Sequence, residues 1–199
     1  MGDAALLCEV AGSAHAAALY RALRERAIEG VEDLVPAAAT LLVRFDPRVL
    51  GHGEVAALAE AAEGGEPADA GPEAAVEIPV RYDGADLDEV ARSCGVSVER
   101  VVAAHTGSEF TVAFFGFAPG FAYLSGLDPV LRMPRLDTSR TRVPAGSVAI
   151  AGEWAAVYPR ATPGGWRLLG HTDLAMWDLG ATPPSPLVPG GRVRFVAVG

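Results

Sequence analysis

Four arginines lie within eleven positions of this acidic chain, and their spacing suggests anion binding. The chain has 16 Lys and Arg against 25 Asp and Glu, so Arg132, Arg135, Arg140 and Arg142 are a local concentration. If 140–142 is extended, Arg140 and Arg142 point the same way, because side chains alternate along a strand. Two guanidiniums on one face can bind a carboxylate or phosphate through paired hydrogen bonds. The alternative is an exposed edge strand protected by its charges.

Aromatic residues are concentrated in one loop-like stretch, FFGFAPGFAYLSG, over 114–126. Glycine allows a backbone to approach a ligand closely, and Pro-Gly is a turn signal. The rings could therefore line a pocket, or they could simply fill a core. The candidate ligand contacts in this stretch are Phe117, Pro119, Gly120, Phe121 and Tyr123.

A second glycine-rich segment, TPGGW over 162–166, precedes the tripeptide Gly-His-Thr at 170–172. A Pro-Gly-Gly turn exposes backbone N–H groups that can bind an anion. His171 would be the titrating side chain there, with a structural role as the alternative. With Arg140 and Arg142, His171 is a candidate catalytic residue. The remaining candidates for binding substrate or nucleotide are Pro144, Gly146, Tyr158, Pro163, Gly164, Gly165 and Trp166.

Other common chemistries lack their sequence signatures. The chain has no GxxxxGK[ST], GxGxxG, GxSxG or HExxH motif. His15 and His52 look like surface residues, and His105 faces the apolar stripe of a helix. None of the histidines pairs with another His, Asp or Glu at metal-ligand spacing, so we predict no metal site. Cys8 and Cys94 form no CxxC pair, which argues against a zinc site or a disulfide scaffold.

Composition narrows the possible partners and the location. Of 199 residues, 50% are apolar and 21% charged, with a net charge of -9, so we expect a packed protein that does not bind nucleic acid. The chain has no run of about 18 apolar residues, so we predict no membrane span. The first 20 residues lack the basic start of a signal peptide, so we expect a cytoplasmic protein.

The first part of the chain alternates strand and helix patterns. Strand runs are predicted at 4–10, 31–35 and 40–45, with helices at 13–29, capped by Ser13, and at 53–63. The order β-α-β-β-α suggests two helices on an antiparallel sheet. We predict an α+β domain at 1–65, a linker at 66–75 and a mainly-β domain at 76–199.

The second part begins with a strand whose Pro79 indicates an edge or first position. Asp86 is predicted to cap a helix, with Glu89 completing the reciprocal bond, and a second helix starts at Ser97. Short strands separated by Gly and Pro then predict a closed or nearly closed β-barrel. The predicted strands are 109–115, 146–151, 154–158, 166–170, 174–177 and 192–197.

Several long motifs in a fixed order resemble one family. FGFAPGFAYLSGLDP, PR, RTRVPAGSVAIAG, YP, TPGGW and LLGHT resemble the family that comprises 5-oxoprolinase B subunits, KipI-like kinase inhibitors and allophanate hydrolase subunit 1, the carboxyltransferase subdomain C/D type. The resemblance runs from about Ala75 to Phe195 and is weaker over the first 65 residues. It implies a ferredoxin-like N-terminal domain and a cyclophilin-like β-barrel C-terminal domain.

The resemblance also implies a reaction and partners. It suggests ATP-dependent opening of 5-oxo-L-proline to L-glutamate, with partner subunits A and C and with Mg²⁺ accompanying ATP. We expect the chain to be inactive alone. Other branches of the family suggest two alternative functions for this chain: inhibition of a sensor histidine kinase, or a role beside a urea carboxylase or allophanate hydrolase. Three positions depart from the family pattern: Trp154-Ala155 replace Gln-Thr, His171 replaces Arg, and Ser139 replaces Pro.

Overall fold

The computed structural model describes residues 2–63 and 75–199, and the chain divides into one unit at 1–72 and another at 73–199. The linker predicted at 66–75 lies outside the described residues except for residue 75. Each unit has its own hydrophobic core.

Over residues 2–63, the N-terminal unit is a three-stranded antiparallel sheet with two helices. Its elements are β1 (Ala5–Glu9), α1 (Ser13–Glu25), β2 (Val31–Pro36), β3 (Thr40–Phe45) and α2 (His52–Glu63). The strand order is β1-β3-β2, and Leu19, Leu41 and Phe45 lie in a core between helices and sheet. This order of elements agrees with the predicted β-α-β-β-α. The predicted cap is wrong, because Gly12 occupies the N-cap position and α1 begins at Ser13.

Over residues 75–199, the C-terminal unit is mainly β, with two helices and one 3-10 turn at Pro129–Leu131. Its sheet of seven strands has the order β11-β8-β9-β6-β5-β12-β4, and β7 pairs separately with β10. The elements are β4 (Val76–Val80), α3 (Leu87–Cys94), α4 (Val98–Gly107), β5 (Phe110–Phe115), β6 (Ala122–Ser125), β7 (Arg140–Val143), β8 (Ser147–Ala151), β9 (Trp154–Val157), β10 (Thr162–Gly164), β11 (Arg167–His171) and β12 (Arg192–Ala197).

The two ends of this sheet meet and almost close a barrel, as predicted. Arg81, just after β4, and His171, at the end of β11, each donate a backbone N–H to the other's carbonyl at 2.9 Å. Gly84 then donates to the carbonyl of Leu169 at 3.1 Å. Pro79 lies in β4, the last strand in the order, where a missing N–H is tolerated.

Alternate residues of the barrel strands fill two different cores. In β8, Val148 and Ile150 belong to the interior cluster, which α3 and α4 also join. Ala149 and Ala151, on the opposite face, belong to a second cluster of buried residues. We call this second cluster the outer cluster: Phe121, Val143, Ala149, Ala151, Ala156, Tyr158, Trp166 and Leu168.

The predicted strand at 174–177 is wrong. Within the described residues, no strand lies between His171 and Arg192. Leu174 and Met176 nevertheless pack against the interior cluster, so their apolar spacing reflects core contacts made by an irregular segment.

Candidate functional site

Arg140 is held by a buried carboxylate. Its Nη2 donates to Oδ1 of Asp86 at 2.6 Å, and its Nη1 donates to the carbonyl of Trp166 at 3.5 Å. Asp86 is 3% exposed, and its Oδ2 accepts from the backbone N–H of Leu168 at 2.7 Å. The Arg140 guanidinium is therefore positioned by the protein, although 29% of its side chain remains exposed.

The same contacts overturn the predicted capping box. Asp86 occupies the N-cap position of α3, but its side chain makes no cap hydrogen bond. Glu89 instead pairs with Arg167 at 2.5 Å. Both carboxylates are drawn away from their helix because long-range cationic and amide partners lie within reach.

Arg142 lies on the same strand but is differently placed. It is exposed, and no hydrogen bond or ion pair engages it among residues 2–63 and 75–199. The pairing of β7 with β10 sets Val143 opposite Thr162 and Arg140 opposite Gly164, with a register shift between the two pairs. Strand β7 therefore brings both arginines next to the glycine-rich segment, Arg140 anchored and Arg142 free.

The glycine-rich segment is a strand and not the predicted turn. Thr162–Gly164 form β10, and neither Gly164 nor Gly165 has the left-handed φ of an amide nest. Glycine is required at 164 because a Cβ there would lie 2.4 Å from the Tyr158 hydroxyl. At 165 a Cβ would lie 2.8 Å from Oγ of Ser139.

The phenol of Tyr158 lies beside this strand. The residue is 1% exposed, and its hydroxyl approaches Gly164. Burial raises the pKa of Tyr158, while a hydrogen bond from the Trp166 backbone amide and the charges of Arg135 and Arg140 oppose that rise. Tyr158 thus stays neutral at physiological pH, within the field of two cations.

The aromatic loop divides between core and surface. The ring of Phe121 is buried, with its centroid 5.3 Å from Tyr158, 5.5 Å from Trp166 and 5.2 Å from Tyr123. Phe117 is different, because it is 61% exposed and has a φ of 65°. A non-glycine residue in this conformation is uncommon and strained. Phe117 therefore is the loop residue best placed to meet a ligand.

Two candidate glycines are explained by packing of the chain itself. Gly120 has a φ of 79°, and a Cβ there would lie 2.7 Å from the carbonyl of Met176. Gly146 has a φ of 78°, and a Cβ there would lie 2.3 Å from the carbonyl of Thr172. These contacts account for both glycines without a ligand. The candidate prolines are exposed: Pro119, Pro144 and Pro163.

Trp154, one of the departures from the family pattern, packs with other rings. Its centroid lies 5.4 Å from Phe114 and 6.1 Å from Tyr123 in edge-to-face contacts. It is partly buried against the outer cluster. The substitution therefore extends an aromatic core at this position.

His171 contacts a carboxylate that the sequence did not suggest. Its Nδ1 lies 2.8 Å from Oδ1 of Asp83, which is 88 positions away in the chain. No periodicity or motif connects such distant residues. In the described part of the chain, His171 makes no hydrogen bond to Arg140 or Arg142.

The remaining histidines lie outside this region. His105 is fully buried, with Nδ1 2.8 Å from the Tyr82 hydroxyl, and so faces its helix's apolar side as predicted. His15 and His52 are exposed, also as predicted. Among the described residues, no three His, Cys, Asp or Glu side chains are grouped so that they could hold a metal ion. No helix in those ranges is long and apolar enough to cross a membrane.

A cleft also lies in the N-terminal unit. It is bounded by α1, by the segment after it and by β2, and includes Tyr20, Arg24 and Leu34. Arg24 donates to the Tyr20 hydroxyl at 2.9 Å across its wall. None of the candidate site residues lines this cleft.

Known proteins resemble the chain over its length. The 5-oxoprolinase B subunit of Bacillus subtilis (strain 168) is 37% identical over 224 aligned positions, covering 100% of this chain and 91% of that protein. The 5-oxoprolinase B subunit of Escherichia coli O157:H7 is 51% identical over 124 residues, covering 61% of this chain. The aligned part of this chain spans little more than half, 57%, of the Escherichia coli protein.

Solved structures and a family model agree with these relatives. The crystal structure of TTHA0988 is 40% identical in sequence, with a TM-score of 0.83. The alignment covers 98% of this chain and 40% of the TTHA0988 chain. The crystal structure of the Kluyveromyces lactis urea amidolyase is 18% identical, with a TM-score of 0.70. The alignment covers 98% of this chain and 14% of the amidolyase chain, and it shows the fold alone. The family described as carboxyltransferase domain, subdomain C and D, matches residues 1–187. The chain therefore belongs to the carboxyltransferase subdomain C and D family.

Proposed function

We propose that this chain is the B subunit of an ATP-dependent 5-oxoprolinase, which opens 5-oxo-L-proline to L-glutamate. The observation that carries the proposal is 37% identity to a 5-oxoprolinase B subunit across the whole chain. Partner subunits A and C complete the enzyme, and the chain alone is inactive. The site would lie in the cytoplasm.

The finer description of the fold belongs to the same proposal. The β-α-β-β-α order and the antiparallel sheet support a ferredoxin-like N-terminal domain at 1–65. The nearly closed sheet at 76–199 supports a cyclophilin-like barrel. Residues 66–75 would connect the two domains.

The proposed reaction needs an activated amide. A lactam is stable, and ATP can activate it by phosphorylating the carbonyl oxygen, a transfer that depends on positioning and charge neutralisation. Arg142 suits a phosphate or carboxylate because it is exposed and unengaged by the residues that the structure describes. The exposed ring of Phe117 suits a planar ligand group, and Mg²⁺ would accompany ATP. Arg140, pinned by Asp86, fixes the strand that presents Arg142.

The test combines this chain with subunits A and C and follows ATP-dependent loss of 5-oxoproline. We expect turnover with all three proteins and essentially none with this chain alone. Arg142→Ala should lower turnover about tenfold or more, because a charge-assisted hydrogen bond contributes about 1.5–3 kcal/mol. Arg92→Ala, which removes an exposed arginine from α3, is the matched control and should leave turnover unchanged.

The outcomes separate the parts of the proposal. Absence of turnover with all three proteins would contradict the assignment to 5-oxoprolinase. Unchanged turnover in Arg142→Ala would remove only that residue from the site. Arg140→Ala is less informative, because it leaves the buried Asp86 carboxylate without its cation and so disturbs the fold.

A further inference from the structure

Four polar side chains are aligned across one end of the barrel. Ser147 lies opposite His171 in the β8–β11 ladder, and His171 lies opposite Arg81 in the bridge that closes the barrel. On the other side of Ser147, the Tyr158 N–H donates to the Ser147 carbonyl at 2.9 Å. Directly paired residues of antiparallel strands place their side chains on the same face. The row is therefore Tyr158, Ser147, His171 and Arg81.

This row lies on the same face as the outer cluster. Two residues beyond Ser147, Ala149 packs in that cluster, and Tyr158 is itself a member. His171 is thus on the barrel face that carries Tyr158, even though, within the described residues, it forms no hydrogen bond with the arginines of β7.

The neighbour of His171 fixes the chemistry of its ring. Asp83 Oδ1 lies 2.8 Å from Nδ1, and the two side chains are 59% and 38% exposed. An ionised carboxylate only accepts hydrogen bonds, so Nδ1 carries the proton and donates to Asp83. In a neutral ring Nε2 then has the free lone pair.

We propose that Asp83 and His171 form a proton-transfer pair, with Nε2 of His171 as the catalytic base and Asp83 as its positioning residue. The inference rests on the proposed function, since it supplies the base for hydrolysis of an amide-type C–N bond. Once ATP has phosphorylated the carbonyl oxygen, the water oxygen bonds to the carbonyl carbon, and the proton that it loses passes to Nε2. Nε2 returns this proton to the departing nitrogen as the C–N bond breaks. The remaining hydroxyl proton goes to solvent, and a second water cleaves the acyl phosphate to the carboxylate and inorganic phosphate.

Arg81 specifies the kind of substrate that this pair would serve. Its side chain is exposed next to His171, with no ion pair inside the described ranges. A cation one strand away from the base suits a substrate whose carboxylate lies near the scissile amide. Replacing Arg81 by Ala should therefore raise KM for such a substrate more than it lowers kcat.

The kinetic test uses the complete set of subunits. His171→Ala should lower turnover about 100-fold or more, the usual contribution of a positioned base. Added imidazole should restore part of the loss, which a purely structural histidine would not allow. Asp83→Asn should lower kcat with KM little changed. His15→Ala, an exposed histidine of α1, is the matched control and should keep full turnover.

The tautomer is measured on the full chain without partners. Long-range ¹H–¹⁵N spectra should show His171 as the Nδ1–H tautomer, its signals assigned by their loss in His171→Gln. Asp83→Asn should reduce the population of that tautomer. An Nε2–H tautomer in the wild type would overturn the role of Asp83.

The two levels of the proposal fail in different ways. Full turnover in His171→Ala, or a loss that imidazole does not rescue, would overturn the role of His171 as a base. If the wild-type assembly shows no turnover, the proposed function fails, and the tautomer still decides whether Asp83 orients His171.

Discussion

At the scale of single residues, Asp86 connects two strands that lie far from it in the chain. One carboxylate oxygen accepts from Arg140 of β7 and the other from the backbone of Leu168 in β11. The carboxylate is almost completely buried, and both of its oxygens are satisfied. A buried charge with this set of partners is costly to break on one side.

Asp86→Ala should lower the free energy of unfolding of the C-terminal unit by about 3 kcal/mol, because Arg140 and the Leu168 N–H lose their partner. Urea unfolding followed by tryptophan fluorescence measures this, since Trp154, Trp166 and Trp177 all lie in that unit. Asp88→Ala, an exposed carboxylate of α3, is the control and should change the value by less than about 0.5 kcal/mol. An effect of Asp86→Ala as small as that of the control would contradict the assignment.

Sequence reasoning found some of these residues and missed others for a physical reason. It singled out Arg140, Arg142 and His171 from local concentration and motif. It assigned Asp86 to a helix cap, since caps are local patterns, and long-range ion pairs leave no trace in spacing. Asp83 was missed because only the closing of the barrel brings it to His171.

At the scale of elements, the two helices of the C-terminal unit begin differently. The N-cap of α4 is Ser97, whose Oγ accepts from the backbone N–H of Arg100 at 3.2 Å. The N-cap of α3 has no such bond. The start of α4 is thus stabilised locally, whereas the start of α3 depends on the tertiary contacts of Asp86.

Ser97→Ala should lower the free energy of unfolding of the C-terminal unit by about 1 kcal/mol, the usual effect of removing an N-cap hydroxyl. The comparison is Ser93→Ala, an exposed serine of α3 whose side chain forms no hydrogen bond within the described residues. Its unfolding midpoint should stay at the wild-type value. Equal shifts for the two variants would show that the cap contributes nothing.

Most strands could be predicted because their patterns are local. Phe110–Phe115, Ser147–Ala151 and Arg192–Ala197 lie within one residue of the predicted runs. Thr162–Gly164 was predicted as a turn from its composition, yet β7 supplies a hydrogen-bonding partner that makes it extended. Strand pairing between distant segments therefore decided this element, and the sequence pattern alone could not supply it.

At the scale of the whole molecule, stability depends on pH through a fully buried histidine, His105. Burial lowers the pKa of His105 from 6.5 to about 3. Well above pH 6.5 the imidazole is neutral in the folded and unfolded chains alike. Between these two pKa values the unfolded chain binds a proton that the folded chain does not, so the free energy of unfolding falls as the pH falls.

From about pH 7.5 to about pH 5, His105 alone should lower the free energy of unfolding by about 2 kcal/mol, at about 1.4 kcal/mol per pH unit. His105→Asn should remove this part of the dependence, as measured by urea unfolding followed by tryptophan fluorescence at both pH values. His15→Asn, exposed in the N-terminal unit, should retain it. A wild-type slope in His105→Asn would contradict the assignment.

Residues 81–86 join β4 to α3 and also pair with β11, where the barrel almost closes. Because the segment has both roles, few changes in its length can be tolerated. The segment presents Asp83 to His171 and Asp86 to Arg140. Between them, Gly84 packs so closely that a Cβ there would lie 2.3 Å from the carbonyl oxygen of Leu168. Inserting or deleting a residue between Asp83 and Asp86 would change the spacing of the two carboxylates. If one carboxylate kept its partner, the other would then be displaced from its own. Length, as much as composition, is therefore under constraint in this stretch.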